Sequence, residues 1–190
     1  MKMITRAVIA GALAFTALPT VALAQAAPPI VVVDMGRIAA ESAASKSAEP
    51  QLKAKFESVQ ARAKTLGDQF RGEYESLQKA QPSMAKEAFQ AKAKELQERQ
   101  VAAENEVRGK EQDYGRSVQY VRQQILEAVN PIITAVMREK GASIALDRDV
   151  TLATAASLDV TNEVMTRLNA ALPRVNVNPP AAPATPAPKK

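Results

Sequence analysis

The sequence predicts an α+β protein in which a long antiparallel helical hairpin, a coiled-coil arm, is inserted into a small β-rich body. Apolar residues recur at heptad-like spacing over two long segments, and Gln81-Pro82-Ser83 interrupts the pattern between them. Strand-like segments rich in apolar residues lie before and after this pattern, at residues 30–33 and 144–146. Because the two ends of a hairpin return to one place, both segments would meet at the base of the arm.

The composition favours helices and excludes several kinds of chemistry. The 190 residues contain no histidine and no cysteine, which excludes histidine acid–base catalysis, cysteine nucleophiles and ordinary zinc sites. The net charge is +5, and basic and acidic residues are interspersed along the chain. This arrangement lacks the basic and aromatic pattern of a nucleic-acid groove, so we expect no nucleic-acid partner and no cofactor.

Residues 1–24 have the three parts of a secretory signal peptide. Lys2 and Arg6 make a positive start, an apolar run extends to Leu18, and Ala22-Leu23-Ala24 supplies small residues for cleavage. A membrane anchor is the alternative, but the apolar run is too short to span a bilayer. We therefore expect the chain to be exported across a membrane.

The first strand belongs to a body segment predicted over residues 28–46, and the arm is predicted over residues 47–140. The apolar positions of the first arm helix alternate steps of four and three: Leu52, Phe56, Val59, Ala63, Leu66 and Phe70. Pro82 disfavours helix at Gln81 and places the tip near 81–83, with Ser83 as a candidate N-cap for the second helix. The second helix returns with Phe89, Ala93, Leu96, Gln100, Ala103, Val107, Tyr114, Val118, Val121, Ile125, Val129, Ile132 and Val136.

The arm is not optimised for rigidity. Glycines at positions 67, 72, 109 and 115 lie inside its helices, and each costs about 1 kcal/mol relative to alanine. Pro131 removes one backbone hydrogen bond and is expected to kink the second helix near its base. These residues fit an arm that bends, and they also fit sequence drift that the fold tolerates.

Residues 141–172 are predicted to complete the body. Gly141 is a candidate left-handed cap after the second helix. Ile144–Leu146 and Val150–Thr154 have the pattern of two strands, joined by Asp147-Arg148-Asp149 in a hairpin.

A closing helix follows the predicted strand hairpin, with Asp159 or Thr161 as its N-cap. Residues 173–190 contain six prolines, five of them after Pro173, and no apolar periodicity. This composition predicts an extended, disordered tail.

Three aspartates lie at or beside the ends of the predicted strands: Asp34, Asp147 and Asp149. If the first strand pairs with the later hairpin, their carboxylates converge and could hold Mg²⁺ or Ca²⁺, as in an enzyme. The chain has no glycine-rich phosphate loop and no nucleophile motif, so we expect no enzymatic activity. Asp34 and Asp147 are instead expected to finish the strands by accepting hydrogen bonds from turn amides.

Three stretches resemble the Skp/OmpH family of periplasmic chaperones: IVVVDMGRIAAES, AVNPIITAVMREKGASIALDRD and ASLDVTNEVMTRLN. The resemblance implies a homotrimer, in which the body is a trimerisation body and three arms enclose a cavity. It places Pro131 in the arm base and Asp159 and Thr161 at the start of the closing helix. It also implies a periplasmic location, unfolded outer-membrane β-barrel proteins as partners, no use of ATP, and lipopolysaccharide or membrane-surface contact in some members.

Simple physical chemistry also supports a holdase, a chaperone that holds unfolded chains. An unfolded barrel protein exposes alternating apolar residues that must be kept from pairing with another chain. Four lysines near the expected tip would attract acidic clients: Lys79, Lys86, Lys92 and Lys94. Exposed charged side chains are also ordinary on the surface of a coiled coil, so these lysines could simply be solvated residues without a binding role. The alternative function is a structural coiled-coil tether of the cell envelope.

Overall fold

The computed structural model describes residues 30–180. The predicted signal peptide and the last ten residues of the predicted tail therefore lie outside the described residues. Two strands and four α-helices follow one another as β1 (Ile30–Val33), α1 (Met35–Glu41), α2 (Ala43–Ala80), α3 (Lys86–Glu139), β2 (Ile144–Asp147) and α4 (Thr161–Ala171). Short 3₁₀ turns cover Gln81–Ser83, Arg148–Val150 and Ala156–Leu158.

Helices α2 and α3 form the antiparallel arm. They contain 38 and 54 residues, which correspond to about 57 Å and about 81 Å at 1.5 Å per residue. Arg62 on α2 pairs with Glu106 on α3, and Glu73 pairs with Arg99. The position in α2 increases from 62 to 73 while the partner position in α3 decreases from 106 to 99, as an antiparallel hairpin requires. Within residues 30–180, no helix is both long enough and apolar enough to span a membrane.

The arm begins earlier than the predicted residue 47. Ser42 separates α1 from α2, and its hydroxyl accepts a hydrogen bond from the Ser45 N–H at 3.3 Å. Serine at this position supplies an N-cap that the apolar spacing alone does not reveal. As a consequence, Pro50 lies inside α2, about two turns from its start.

The tip lies at the predicted position, but the predicted Ser83 cap is wrong. Ser83 belongs to the 3₁₀ turn, and its hydroxyl donates to the Ala80 carbonyl at 3.0 Å. Met84 is extended, and α3 then starts after Ala85, which has no side chain able to cap it. The 3₁₀ turn keeps the serine hydroxyl on the preceding helix, so it cannot reach the amides of α3.

The sheet is parallel and has two strands, β1 and β2, paired from Ile30 with Ile144 to Val33 with Asp147. The predicted strand hairpin is wrong. The chain turns into a 3₁₀ helix at Arg148–Val150, and residues 151–155 form no strand. The second edge of β1 is used by a segment further along the chain, because Val32 forms an isolated parallel bridge with Asp159. Among the described residues the body is therefore less rich in strands than predicted.

The hydrophobic core lies at the base of the arm, where the body and the proximal turns of α2 and α3 meet. Its buried apolar side chains are Val31, Val33, Ile38, Ala44, Ala48, Val121, Ile125, Val129, Val136, Val160, Val164, Leu168, Val175 and Val177. In the described arm beyond this base, Leu66 is as buried as the core residues. Most other seam residues nearer the tip are half-buried. The base is thus the stable part, and the arm depends on a narrow contact.

The end of α3 follows the predicted cap. Gly141 has φ of 65°, which glycine adopts without steric cost. The Gly141 N–H donates to the Arg138 carbonyl at 3.2 Å, and the Ala142 N–H donates to the Met137 carbonyl at 2.8 Å. These two bonds are those of a Schellman motif. They turn the chain sharply out of the helix and into β2.

Residues 173–178, which we call the strap, pack on the base of the arm. Val175 and Val177 are only 9% and 2% exposed, and the Val175 N–H donates to the Ser47 hydroxyl at 3.3 Å. The predicted disordered tail therefore does not begin at residue 173. Two buried valines supply the apolar contact that the proline-rich composition of the tail conceals.

Candidate functional surface of the arm and its base

Open clefts lie along the seam between α2 and α3. The mid-arm cleft has a volume of about 700 Å³ and is lined by residues that include Ala63, Gly67, Phe70, Tyr74, Leu96 and Val107. A second cleft of about 610 Å³ lies nearer the tip. Ala63 and Gly67 are too small to fill the space between helices that larger residues hold apart. Charged and polar side chains line much of both clefts as well, so the arm offers open surface of mixed character along its seam.

Two arginine–glutamate pairs join the helices across the seam. Arg62 donates two hydrogen bonds to Glu106, at 2.8 and 2.9 Å, and Arg99 donates two to Glu73, at 2.7 and 2.8 Å. The Arg99 guanidinium carbon also lies 5.7 Å from the centre of the Phe70 ring. These bidentate pairs hold the two helices in register where apolar packing is thin.

The same arginines lower the pKa of their carboxylate partners. The hydrogen bonds from Arg99, followed by one from Gln69, hold the pKa of Glu73 below its ordinary value. The hydrogen bond from Arg62 lowers the pKa of Glu106. All four partners are solvent-exposed enough for salt to screen them. The pairs therefore fix the register between α2 and α3 but add little to the free energy of unfolding.

The four predicted client-binding lysines lie around the tip, and all are exposed. Lys79 is in the last turn of α2 and Lys86 begins α3. Lys92 and Lys94 are two residues apart in α3 and project from different sides of it, and Lys92 lines the cleft nearer the tip. The structure brings the lysines into one region but not into one patch.

The region of the tip is the positive part of the arm. Residues 76–94 contain four lysines and one glutamate. The remaining residues of the two helices, 43–75 and 95–139, contain twelve basic and thirteen acidic residues. The positive charge of the arm is thus concentrated at its end, where it can attract acidic groups.

A shallow apolar groove of about 880 Å³ runs along the base of the arm, beside α1. Its lining includes Leu52, Phe56, Tyr114, Val118 and Leu126. The Phe56 and Tyr114 rings pack with centroids 5.5 Å apart, yet Phe56, Val118 and Leu126 remain exposed. An exposed apolar surface of this kind marks an interaction site in many soluble proteins.

The strand-end aspartates fasten the body. Asp34 is the N-cap of α1, and its carboxylate accepts from the Arg37 N–H at 2.6 Å. The Asp147 carboxylate accepts from the N–H groups of Met35 at 3.3 Å and Asp149 at 3.4 Å. Both side chains thus accept hydrogen bonds from turn amides, as predicted.

Asp159 and Thr161 connect the start of α4 to β1. The Asp159 carboxylate accepts from the Thr161 N–H at 2.9 Å, and the Thr161 hydroxyl accepts from the Asp34 N–H at 2.9 Å. The N-cap position itself is occupied by Val160, so the prediction of either residue as the cap is wrong. The Val160 N–H donates a hydrogen bond to the Val32 carbonyl of β1. This bond fixes the position of Val160 and therefore the residue at which α4 begins.

Charges surround this junction. Arg148 lies 3.3 Å from the Asp159 carboxylate and 4.0 Å from that of Asp34. The hydrogen bonds of Thr161, and then the charges of Arg148 and Arg37, lower the pKa of Asp159. Asp34, Asp147 and Asp149 do not form a metal-ligand cluster, and no other such group occurs among residues 30–180. Asp34 and Asp147 instead bond to backbone amides.

Several residues of this surface were not predicted as functional. The pairs made by Arg62 and Arg99 could not be assigned before the register of the helices was known.

Pro131, which was predicted to kink the second arm helix, lies on the exposed side of α3, and this helix continues unbroken to Glu139. The strap could have been found from the alternation of apolar and polar residues in RVNVN, at positions 174–178.

Comparison with known proteins assigns the chain to a family. The model of a family described as outer membrane protein (OmpH-like) matches residues 29–168, which include the whole arm and all of the body except the end of α4. The chain belongs to the OmpH-like family. The matched region ends before the strap, so the strap lies outside the family pattern. No curated protein matches the chain.

A solved OmpH-like structure has the same fold. It is the crystal structure of a protein from Caulobacter crescentus described as an outer membrane chaperone. The two chains superpose with a TM-score of 0.69 at 19% sequence identity, over 78% of this chain and 88% of the other. At this identity the similarity establishes the fold of this OmpH-like protein and not its partners.

Proposed function

We propose that this OmpH-like protein is an ATP-independent periplasmic holdase. It binds unfolded outer-membrane β-barrel proteins in a cavity between helical arms, prevents their aggregation and delivers them for membrane assembly. The observation that carries the proposal is the long arm, whose seam leaves open clefts with both apolar and polar linings. Many weak apolar contacts hold an unfolded chain without selecting one sequence.

The proposed active form is a homotrimer built on the body. Three large apolar residues on and just after β2 are exposed, namely Ile144 at 50%, Val150 at 75% and Leu152 at 109%. The outer edge of β2 has no strand partner within residues 30–180. Unpaired strand edges beside exposed apolar residues favour association with other copies. Association there places the bases together and leaves the arms free to surround a client.

The positive tip adds a weak electrostatic attraction. Lys79, Lys86, Lys92 and Lys94 would draw in acidic segments of a client, or the phosphates of lipopolysaccharide and of a membrane surface. The attraction falls with salt because these lysines are exposed. The proposal includes the periplasmic location, which follows from the signal peptide predicted in residues 1–24.

The aggregation of an unfolded porin tests the proposal. A urea-unfolded porin is diluted into buffer with increasing amounts of the mature protein, and light scattering is recorded. A holdase abolishes the scattering near one trimer per porin. A structural tether leaves the scattering unchanged at every ratio, and that result would overturn the proposed function in favour of the alternative.

The contribution of the tip is tested by changing its four lysines to glutamine. We expect the variant to need more protein for full suppression at low salt, and to match the unmodified protein at about 0.5 M salt, where the Debye length is only a few ångströms. The matched control changes Lys46, Lys53, Lys55 and Lys64, four exposed or half-buried lysines of α2 far from the tip. An equal loss in the control would show that total charge, and not the tip, matters.

A further inference from the structure

The strap has alternating burial along residues 174–178, and its backbone bends only at residue 173 and at residues 177–178. In the sequence Arg174-Val175-Asn176-Val177-Asn178, both valines are buried and the other three residues are exposed. The valines share an apolar cluster with Ala44, Ala48, Val121 and Ile125. The base of α2 and α3 thus forms a seat that buries every second side chain of the strap, as one face of a β-strand would be buried.

One side chain of the seat bonds the strap backbone as a neighbouring strand would. The Gln124 side chain accepts from the Asn176 N–H at 3.1 Å and donates to the Asn176 carbonyl at 2.8 Å. Ser47, on the other helix, accepts from the Val175 N–H at 3.3 Å. These bonds involve only backbone groups of the strap, so any peptide with the same spacing of apolar residues can make them.

The chemistry of this seat fits the proposed clients. A membrane-spanning β-strand alternates apolar side chains that face lipid with polar side chains that face the barrel interior. In the unfolded state the same segment offers the pattern of the strap, together with unpaired backbone groups. A seat that holds valine, asparagine, valine in an extended chain therefore holds a segment of an unfolded β-barrel strand.

We propose that the strap occupies a binding seat for extended client segments and is displaced when a client binds. The seat includes Ser47, Gln51 and Gln124, and its ligand class is a peptide with alternating apolar and polar residues. The inference rests on the proposed function, because the displacing peptide is an unfolded barrel protein. In the absence of a client, the strap keeps the apolar seat covered.

The strap competes strongly because it is tethered. It follows α4 almost directly, and a short tether gives an effective concentration on the order of 1 mM. A free peptide that binds the empty seat with a dissociation constant of about 100 μM would thus bind the covered seat on the order of tenfold more weakly. A long client that also contacts the arm at other points is itself tethered to the protein. Its segments then have a high effective concentration at the seat and can displace the strap.

The test measures binding of a fluorescent peptide containing residues 172–180. Val175→Asn together with Val177→Asn detaches the strap of the protein, and we expect this variant to bind the peptide on the order of tenfold more tightly than the unmodified chain. Unfolded porin should compete with the peptide. A peptide with the same residues but adjacent valines should bind at least several-fold more weakly. Equal binding to both proteins, or equal binding of both peptides, overturns the proposal.

A second measurement uses the unmodified chain and does not depend on the folding of a variant. Hydrogen exchange at residues 173–178 should become faster when unfolded porin is added, because displacement exposes the Val175 and Asn176 amides. Gln124→Ala should speed the same exchange without client, whereas Gln123→Ala, which removes only a bond to Glu127, should not. If porin aggregation is suppressed while exchange in the strap stays unchanged, the holdase stands and the strap proposal fails.

Discussion

Single polar residues join parts of this protein that are distant in the chain. The Thr161 hydroxyl accepts from the Asp34 N–H, and Asp159 accepts from the Thr161 N–H. The role of Asp34 as a strand-end cap was predictable because its partner, the Arg37 N–H, lies three residues away. The bond between Thr161 and Asp34 was not, because nothing local in the sequence shows which residues 127 positions apart will meet.

Asp159 should make stability depend on pH. Its pKa is lower in the folded protein than its ordinary value of 3.8, so it contributes stability above that value and loses the contribution as pH falls through the folded pKa. We expect Asp159→Asn to be less stable than the unmodified protein at pH 7, and the difference in stability to shrink as the pH falls below 3.8. Urea denaturation followed by circular dichroism at several pH values measures the difference.

Asp149→Asn is the control for this pH dependence. It removes the same charge ten residues earlier, from a carboxylate that accepts no hydrogen bond among the described residues. We expect the stability of Asp149→Asn to follow that of the unmodified protein across the pH range. A gap between Asp159→Asn and the unmodified protein that stays constant from pH 7 to pH 2 would contradict the predicted role of Asp159.

At the scale of elements, the helices and the two strands at residues 30–33 and 144–147 were predictable, whereas the third strand at residues 150–154 was predicted wrongly. Apolar spacing over more than thirty residues identifies α2 and α3 because each repeat adds to the same signal. The two observed strands have four residues each, so their pairing depends on contacts that only the complete base supplies. Val150–Thr154 has strand-like residues, but the Asp147 side chain bonds the Asp149 N–H and turns the chain away.

Pro131 should limit the stability and the stiffness of α3. It lies inside the helix and is exposed, so Pro131→Ala restores a hydrogen bond without disturbing the core. We expect the free energy of unfolding to rise by roughly 1–3 kcal/mol. We also expect the arms to spread less, measured by small-angle scattering.

Gly72→Ala serves as the comparison for Pro131→Ala. An added Cβ at Gly72 would meet no atom within 4 Å, so the change should stabilise α2 by up to about 1 kcal/mol. Because Gly72 is far from the base, the spread of the arms should not change. An unaltered spread in Pro131→Ala, together with unaltered client capacity, would show that Pro131 is not a hinge.

At the scale of the whole molecule, the base and the arm differ in burial and in charge. The base holds most of the buried apolar residues among those described, whereas the arm has open clefts and a positive tip. The contact of the strap with the base was missed because a proline-rich composition favours disorder, although the alternation of apolar and polar residues at positions 174–178 was a signal for it.

Leu152 should be needed for assembly. It is fully exposed in the single chain, and a charge at an apolar contact between copies is costly. We expect Leu152→Asp to shift the mature protein from the mass of three chains to that of one, measured by multi-angle light scattering at micromolar concentration. Val101→Asp changes an exposed valine of the arm and should leave the trimer intact. A single-chain mass for the unmodified protein would contradict the trimer itself.

The parallel pairing of β1 with β2 has a consequence for the order of folding. Ile30 pairs with Ile144, so the first strand to be synthesised has no partner until the entire arm has followed it. Closing so long a loop in a flexible chain costs roughly 4 kcal/mol or more, but a hairpin that has already formed brings its own ends together. We infer that the arm folds before the base, and that β1 remains an apolar, unpaired segment until the arm has formed.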